Sequence, residues 1–89
     1  MTKDESIRRF QKAVLKKFGK GVRFCHQERD TSEDLDERID VSVPLDNIDW
    51  TVVQPAVEVA LKISGASRYF EIGGSGLGFG YRDVSVYRK

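Results

Sequence analysis

Gly74-Ser75-Gly76-Leu77-Gly78-Phe79-Gly80, followed by Tyr81-Arg82-Asp83-Val84-Ser85-Val86-Tyr87, is the stretch whose reading decides the fold. Glycine stands at every second position of its first half. Side chains alternate faces along a strand, so these four glycines leave one face bare and set Ser75, Leu77 and Phe79 on the other. The second half reads as a strand with Val84 and Val86 on one side. Its word Asp-Val-Ser-Val occurs once before, at Asp40–Val43.

The earlier copy of that word lies in Arg38–Leu45, where Ile39, Val41, Val43 and Leu45 alternate with Arg38, Asp40 and Ser42. Pro44 ends that strand or places it near an edge. Val22–Gln27 alternates more weakly, and Glu28–Glu37 is acidic and aperiodic, the pattern of a hairpin loop. In the second half, Ser67–Ile72 reads as a third strand and Leu77–Arg88 as a fourth. A tight turn at Gly73-Gly74-Ser75-Gly76 is expected between them. Phe70, Ile72, Val84 and Val86 then point inward, with Gly78 and Gly80 in phase, so that a helix could approach the sheet closely there.

Two helices complete the pattern. Over Ser6–Phe18, Ile7, Phe10, Val14 and Phe18 recur at spacings of three and four, opposite Arg8, Arg9, Lys12, Lys16 and Lys17. Asp4 and Glu5 suit its start, Lys16 and Lys17 its end, and Gly19 and Gly21 a stop. Asp49 or Thr51 is the N-cap expected for the second helix, with Pro55 in its first turn and Gly65 at its end. Its surface is unusually apolar: Val53, Ala56, Val57, Ala60, Leu61 and Ile63.

The two halves resemble each other. Leu15–Gly19 matches Ala60–Ser64 and Arg23-Phe24 matches Arg68-Tyr69 at an offset of 45, while the repeated word is offset by 43. The sequence therefore predicts an α+β domain of order αββαββ. Residues 5–45 and 50–88 would be copies of one αββ unit. The four strands form a mainly antiparallel sheet with both helices packed on one face. The other face of the sheet is left open.

Eighty-nine residues suit one domain with a modest core. No apolar run approaches the roughly 18–20 residues of a membrane span, so no membrane partner is expected. No secretory signal is read at Met1–Glu5, and the lone Cys25 fits a cytoplasmic location. The net charge of +1 hides a segregation. Residues 1–26 carry eight Lys/Arg against two Asp/Glu, and residues 27–49 carry two against nine. So balanced a total argues against a protein that coats DNA.

The chemistry of sites is sparse. Gly73–Gly80 lacks the Gly-Lys-Ser/Thr ending of a phosphate loop and precedes a strand, not a helix. Cys25 and His26 are neighbours on a strand, face opposite ways and cannot act as nucleophile and base together. The sequence has one histidine and one cysteine, too few nitrogen and sulfur ligands for a zinc centre of the usual kind. Glu33, Asp34, Asp36 and Glu37 read as a solvated loop rather than paired catalytic carboxylates. No catalytic residue, cofactor or metal is expected.

Binding is the remaining reading. On the open face the phase predicts Tyr69, Phe79, Tyr81 and Tyr87, with Arg82 reaching round only at a bulge. Exposed aromatics there suit a homodimer or sheet-extension surface, a contact with another protein, or the stacking of unpaired bases. The basic helix face Arg8, Arg9, Lys12, Lys16 and Lys17 suits an anionic partner, and the acidic loop could imitate nucleic acid. The expectation is a small non-enzymatic interaction protein, accessory or inhibitory in the manner of phage and mobile-element proteins. The alternative is a nucleic-acid module using Arg23 and Arg68 with the aromatic face, or the basic helix.

Overall fold

A computed structural model describes residues 2–28, 36–46 and 48–89. Helix α1 spans Lys3–Phe18 and starts before Ser6 because the Thr2 hydroxyl accepts the Glu5 amide at 3.2 Å. Ser6, Ile7, Phe10 and Val14 form its buried stripe. Asp49 caps a 3-10 turn at Trp50–Val52, its carboxylate accepting from the Thr51 amide (2.9 Å) and hydroxyl (2.8 Å). Helix α2, Val53–Ser64, follows directly, with Pro55 in its first turn and Gly65 ending it at φ 80°. None of the helices among the described residues is long and apolar enough to cross a membrane.

Strands β1 (Arg23–Gln27), β2 (Arg38–Pro44), β3 (Phe70–Gly78) and β4 (Tyr81–Arg88) form one antiparallel sheet in the order β1-β2-β4-β3. The αββαββ order and the α+β class are as the sequence predicts. Both helices lie on one face. The core between the layers joins Ile7, Phe10 and Val14 of α1 and Val53, Val57 and Leu61 of α2 to Ile39, Val41, Val43, Phe70, Val84 and Val86 of the sheet. Phe10 meets Phe24 edge-on, with ring centroids 6.5 Å apart. Each fully buried side chain of this size contributes about 1.5–3 kcal/mol relative to exposure.

The repeated word lies at the centre. Asp40 pairs with Ser85, Val41 with Val84 and Ser42 with Asp83, so the two copies of Asp-Val-Ser-Val run antiparallel against each other. Adding 43 to a β2 residue gives its counterpart in β4, and this register maps onto itself under that exchange. The side chains obey the same symmetry. The Ser42 hydroxyl donates to Asp83 at 2.6 Å, and the Ser85 hydroxyl to Asp40 at 2.7 Å. The Arg23-Phe24 match does not share this symmetry, since Arg68 closes a 3-10 turn, Ala66–Arg68, and Tyr69 is its C-cap ahead of β3.

The glycine stretch differs from expectation. Strand β3 begins at Phe70 rather than Ser67 and runs through the glycines to Gly78, so no turn forms at Gly73–Gly76. The reversal is Phe79-Gly80, between paired Gly78 and Tyr81, with Gly80 at φ 75°. A register shift between Ile72 and Gly74 changes the parity of the strand. Gly74, Gly76 and Gly78 thus oppose Ser85, Asp83 and Tyr81 on the open face, away from the helices. Side chains added at Gly74, Gly76, Gly78 or Gly80 would meet open space, so no helix approaches them. Gly73 is the exception: a Cβ there would overlap the Tyr87 ring.

Gly73→Val is therefore expected to destabilise by about 1–3 kcal/mol through overpacking, and Gly78→Val to change stability by less than about 1 kcal/mol. Urea unfolding of the two variants checks this. Equal losses in both would show that Tyr87 does not require the bare backbone at Gly73.

Candidate functional site: the groove between the helices

The open sheet face is the first candidate. Tyr81 and Tyr87 lie on it, opposite Pro44 and Arg38 of β2. Phe79 stands free at the hairpin tip. Tyr69 precedes β3 and packs against the core edge beneath the Arg88 guanidinium, 5.1 Å from the ring centroid. Arg82 points to the helix side, 5.0 Å over the Trp50 ring, and donates to Ser75. Between the two tyrosines the face carries Asp40, Ser42, Asp83 and Ser85, bonded to one another. The four predicted aromatics do not form one patch.

A second cluster surrounds Glu37. Read in the sequence as part of a solvated loop, this residue is only 5% exposed. Its carboxylate accepts from Lys3 Nζ at 2.8 Å and from His26 Nε2 at 2.6 Å, with Arg88 Nε at 4.0 Å. Its backbone carbonyl accepts the Arg88 amide at 2.9 Å. One acidic side chain thereby joins the start of α1, strand β1 and the end of β4. Burial raises its pKa, but hydrogen bonds and charge from Lys3 and His26 outweigh that and hold it below the ordinary 4.5. Glu33 and Asp34 lie outside the described residues, as does most of the acidic loop. Cys25 pairs with Asp40 on the open face while His26 pairs with Ile39 on the helix face, so the two diverge as expected.

The third candidate is on the helix layer. Helix α2 buries Val53, Val57, Ala60 and Leu61 against the sheet. The 100° step between residues then carries Pro55, Ala56, Val59 and Ile63 onto a second stripe on the solvent side, which Val52 of the preceding 3-10 turn extends. Val52 is 45% exposed, Val59 56% and Ile63 70%. Ala13, Lys16 and Lys17 of α1 form the facing wall, enclosing with this stripe a groove of about 550 Å³. Trp50 is also exposed, in the turn ahead of α2. The sequence shows α2 to be apolar nearly all round. It does not show which apolar residues the sheet would leave uncovered.

Arg8, Arg9, Lys12, Lys16 and Lys17 are all exposed along α1, and none forms an ion pair among the described residues. Lys16 and Lys17 border the groove. Arg23 and Arg68 are not brought together: Arg23 is on edge strand β1, and Arg68 precedes the opposite edge strand, β3. The described residues contain no group of three or more His, Cys, Asp or Glu placed to hold a metal ion.

The lowered pKa of Glu37 has a definite sign. Its folded value is below its unfolded value, so its contribution is full above about 4.5 and is lost as pH falls through the folded value. Urea midpoints measured from pH 6 to pH 2 are expected to fall across that window. Glu37→Gln is expected to cost about 1–2 kcal/mol near neutral pH and to flatten the acid limb. An unchanged acid limb in that variant would assign the loss to other carboxylates.

No family model, curated protein or solved structure matches the chain.

Proposed function

We propose that this protein is a non-enzymatic binding domain that works through protein–protein contacts, with the groove between α1 and α2 as its contact surface. The row Val52, Val59 and Ile63 carries this reading. Large aliphatic side chains held side by side in water contribute little to the fold and much to an interface, because burying them there releases their hydration. A groove with apolar walls is also the shape in which protein partners place their anchoring side chains. An accessory or inhibitory protein, of the kind phages and mobile elements carry, is the wider role that suits such a domain.

One observation supports a second reading, nucleic-acid binding. Arg8, Arg9, Lys12, Lys16 and Lys17 of α1 are exposed and form no ion pairs among the described residues, a face suited to meeting phosphates. The open sheet face supports it less, since its centre carries Asp40 and Asp83.

Fluorescence anisotropy with labelled single- and double-stranded oligonucleotides, at low and near-physiological salt, separates the two. Weak or absent binding at near-physiological salt is expected. Tight binding that weakens steeply with salt and disappears in Lys12→Glu/Lys16→Glu would replace the first reading by the second. For the protein-contact reading, affinity capture with the wild type and with Ile63→Asp is compared. Proteins retained by the first and lost from the second are expected. Identical sets would remove the groove as the contact surface.

A further inference from the structure

We infer that the groove receives an acidic amphipathic helix of a partner protein, an assignment that rests on the protein-contact reading above. The solvent-side stripe runs at spacings of four, three and four from Val52, the last residue of the 3-10 turn, through Ala56, Val59 and Ile63 of α2. At 1.5 Å per residue it is about 16 Å long, roughly three helical turns. A helix laid along it presents its own apolar row at the same period, the geometry by which amphipathic helices enter grooves. An extended strand would engage the stripe poorly, since its side chains repeat every second residue.

The charge of the rim selects among helices. One wall ends in Lys16 and Lys17, and Lys12 and Arg9 stand one and two turns back along α1. A docked helix therefore has one polar flank beside ammonium groups that form no ion pair among the described residues. Asp and Glu on that flank gain attraction, whereas Lys and Arg are repelled. A second copy of this chain is a poorer occupant. Its α2 would bring one Glu58 and one Lys62, and its own groove rim would add two more lysines. An acidic helix satisfies both the apolar row and the rim.

The test is a display library of 18-residue helical peptides with Leu, Ile, Val or Phe at a four-three-four spacing. Asp, Glu, Ser, Lys and Arg are varied at the flanking positions. Selection on the intact protein is expected to enrich acidic over basic flanks at least tenfold. The selected peptide should bind Ile63→Asp at least tenfold more weakly, and Lys16→Glu/Lys17→Glu should invert the flank preference. Ile63 is solvent-exposed, so unchanged melting temperatures are the control for folding. Absent enrichment, or a preference the lysine variant leaves unchanged, overturns the acidic-helix assignment. If Ile63→Asp still abolishes partner capture in that case, the protein-contact reading stands without it. If capture is also unaffected, both fall. A doubled mass in solution that reverts in Ile63→Asp would place a second copy in the groove and overturn the proposal.

Discussion

The pairing of β2 with β4 is the constraint on which the rest of the structure depends. These are the two interior strands, and Ile39, Val41, Val43, Val84 and Val86 from them make the floor of the core. A slip of one residue would turn the valines of the shifted strand outward and bury its Asp and Ser instead. A slip of two keeps the valines inside, but in one direction it sets Asp40 against Asp83, like charges facing each other across the strands, and in the other it sets Ser42 against Ser85 and Asp40 against Tyr87. The observed register sets each aspartate against a serine that donates to it. Hydrophobic parity and the Ser–Asp bonds thus select the same alignment, one from each face of the sheet.

Outside that centre the two halves diverge, and the divergence is concentrated in the edge strands. The first hairpin has a five-residue β1 and a long acidic connection, whereas the second has a nine-residue β3 and a two-residue reversal. The irregularity near Gly73 makes this possible. Phe70 and Ile72 face the helices before it, and Ser75 and Leu77 take that side after it, opposite Val84 and Arg82. The odd residue displaces the glycines to the open face and lets the Tyr87 ring lie on bare backbone. Edge strands carry such interruptions because they make the edge a poorer template for unwanted pairing.

That parity change also explains what the sequence did and did not reveal. Element order followed from periodicities that tertiary contacts reinforce: three-and-four spacing in α1, alternation in β2 and β4. Carrying the phase of Val84 and Val86 back to Gly80 and Gly78 along one strand puts both glycines against the helices; the reversal at Phe79-Gly80 and the irregularity near Gly73 set Gly78 on the open face instead. Consecutive glycines also read as a turn, because the residue that permits a reversal is the same one that permits a bulge. In the sequence Glu37 reads as part of a solvated loop, because its partners Lys3, His26 and Arg88 come from three other elements. Local pattern cannot show a cluster assembled from such distances. The groove was hidden for a related reason: apolar residues around most of α2 merge into one signal until the position of the sheet divides them.

The two large surfaces can then be weighed by what each does with its unsatisfied chemistry. On the open sheet face, hydroxyls and carboxylates bond to one another across the central strands, and the glycines beside them add no apolar bulk. Water is an adequate solvent for that face. On the helix face, Val52, Val59 and Ile63 remain in water beside a wall of Ala13, Lys16 and Lys17. At about 25 cal/mol per Å² of apolar area removed from water, covering such a row supplies a few kcal/mol. This alone does not offset the cost of association. In the proposed docking, charge supplies the remainder and the selectivity, and the charges lining the groove are Lys16 and Lys17. The sheet side thus carries polar side chains bonded to one another, whereas the helix side carries an exposed apolar row, the surface on which the proposed partner would dock.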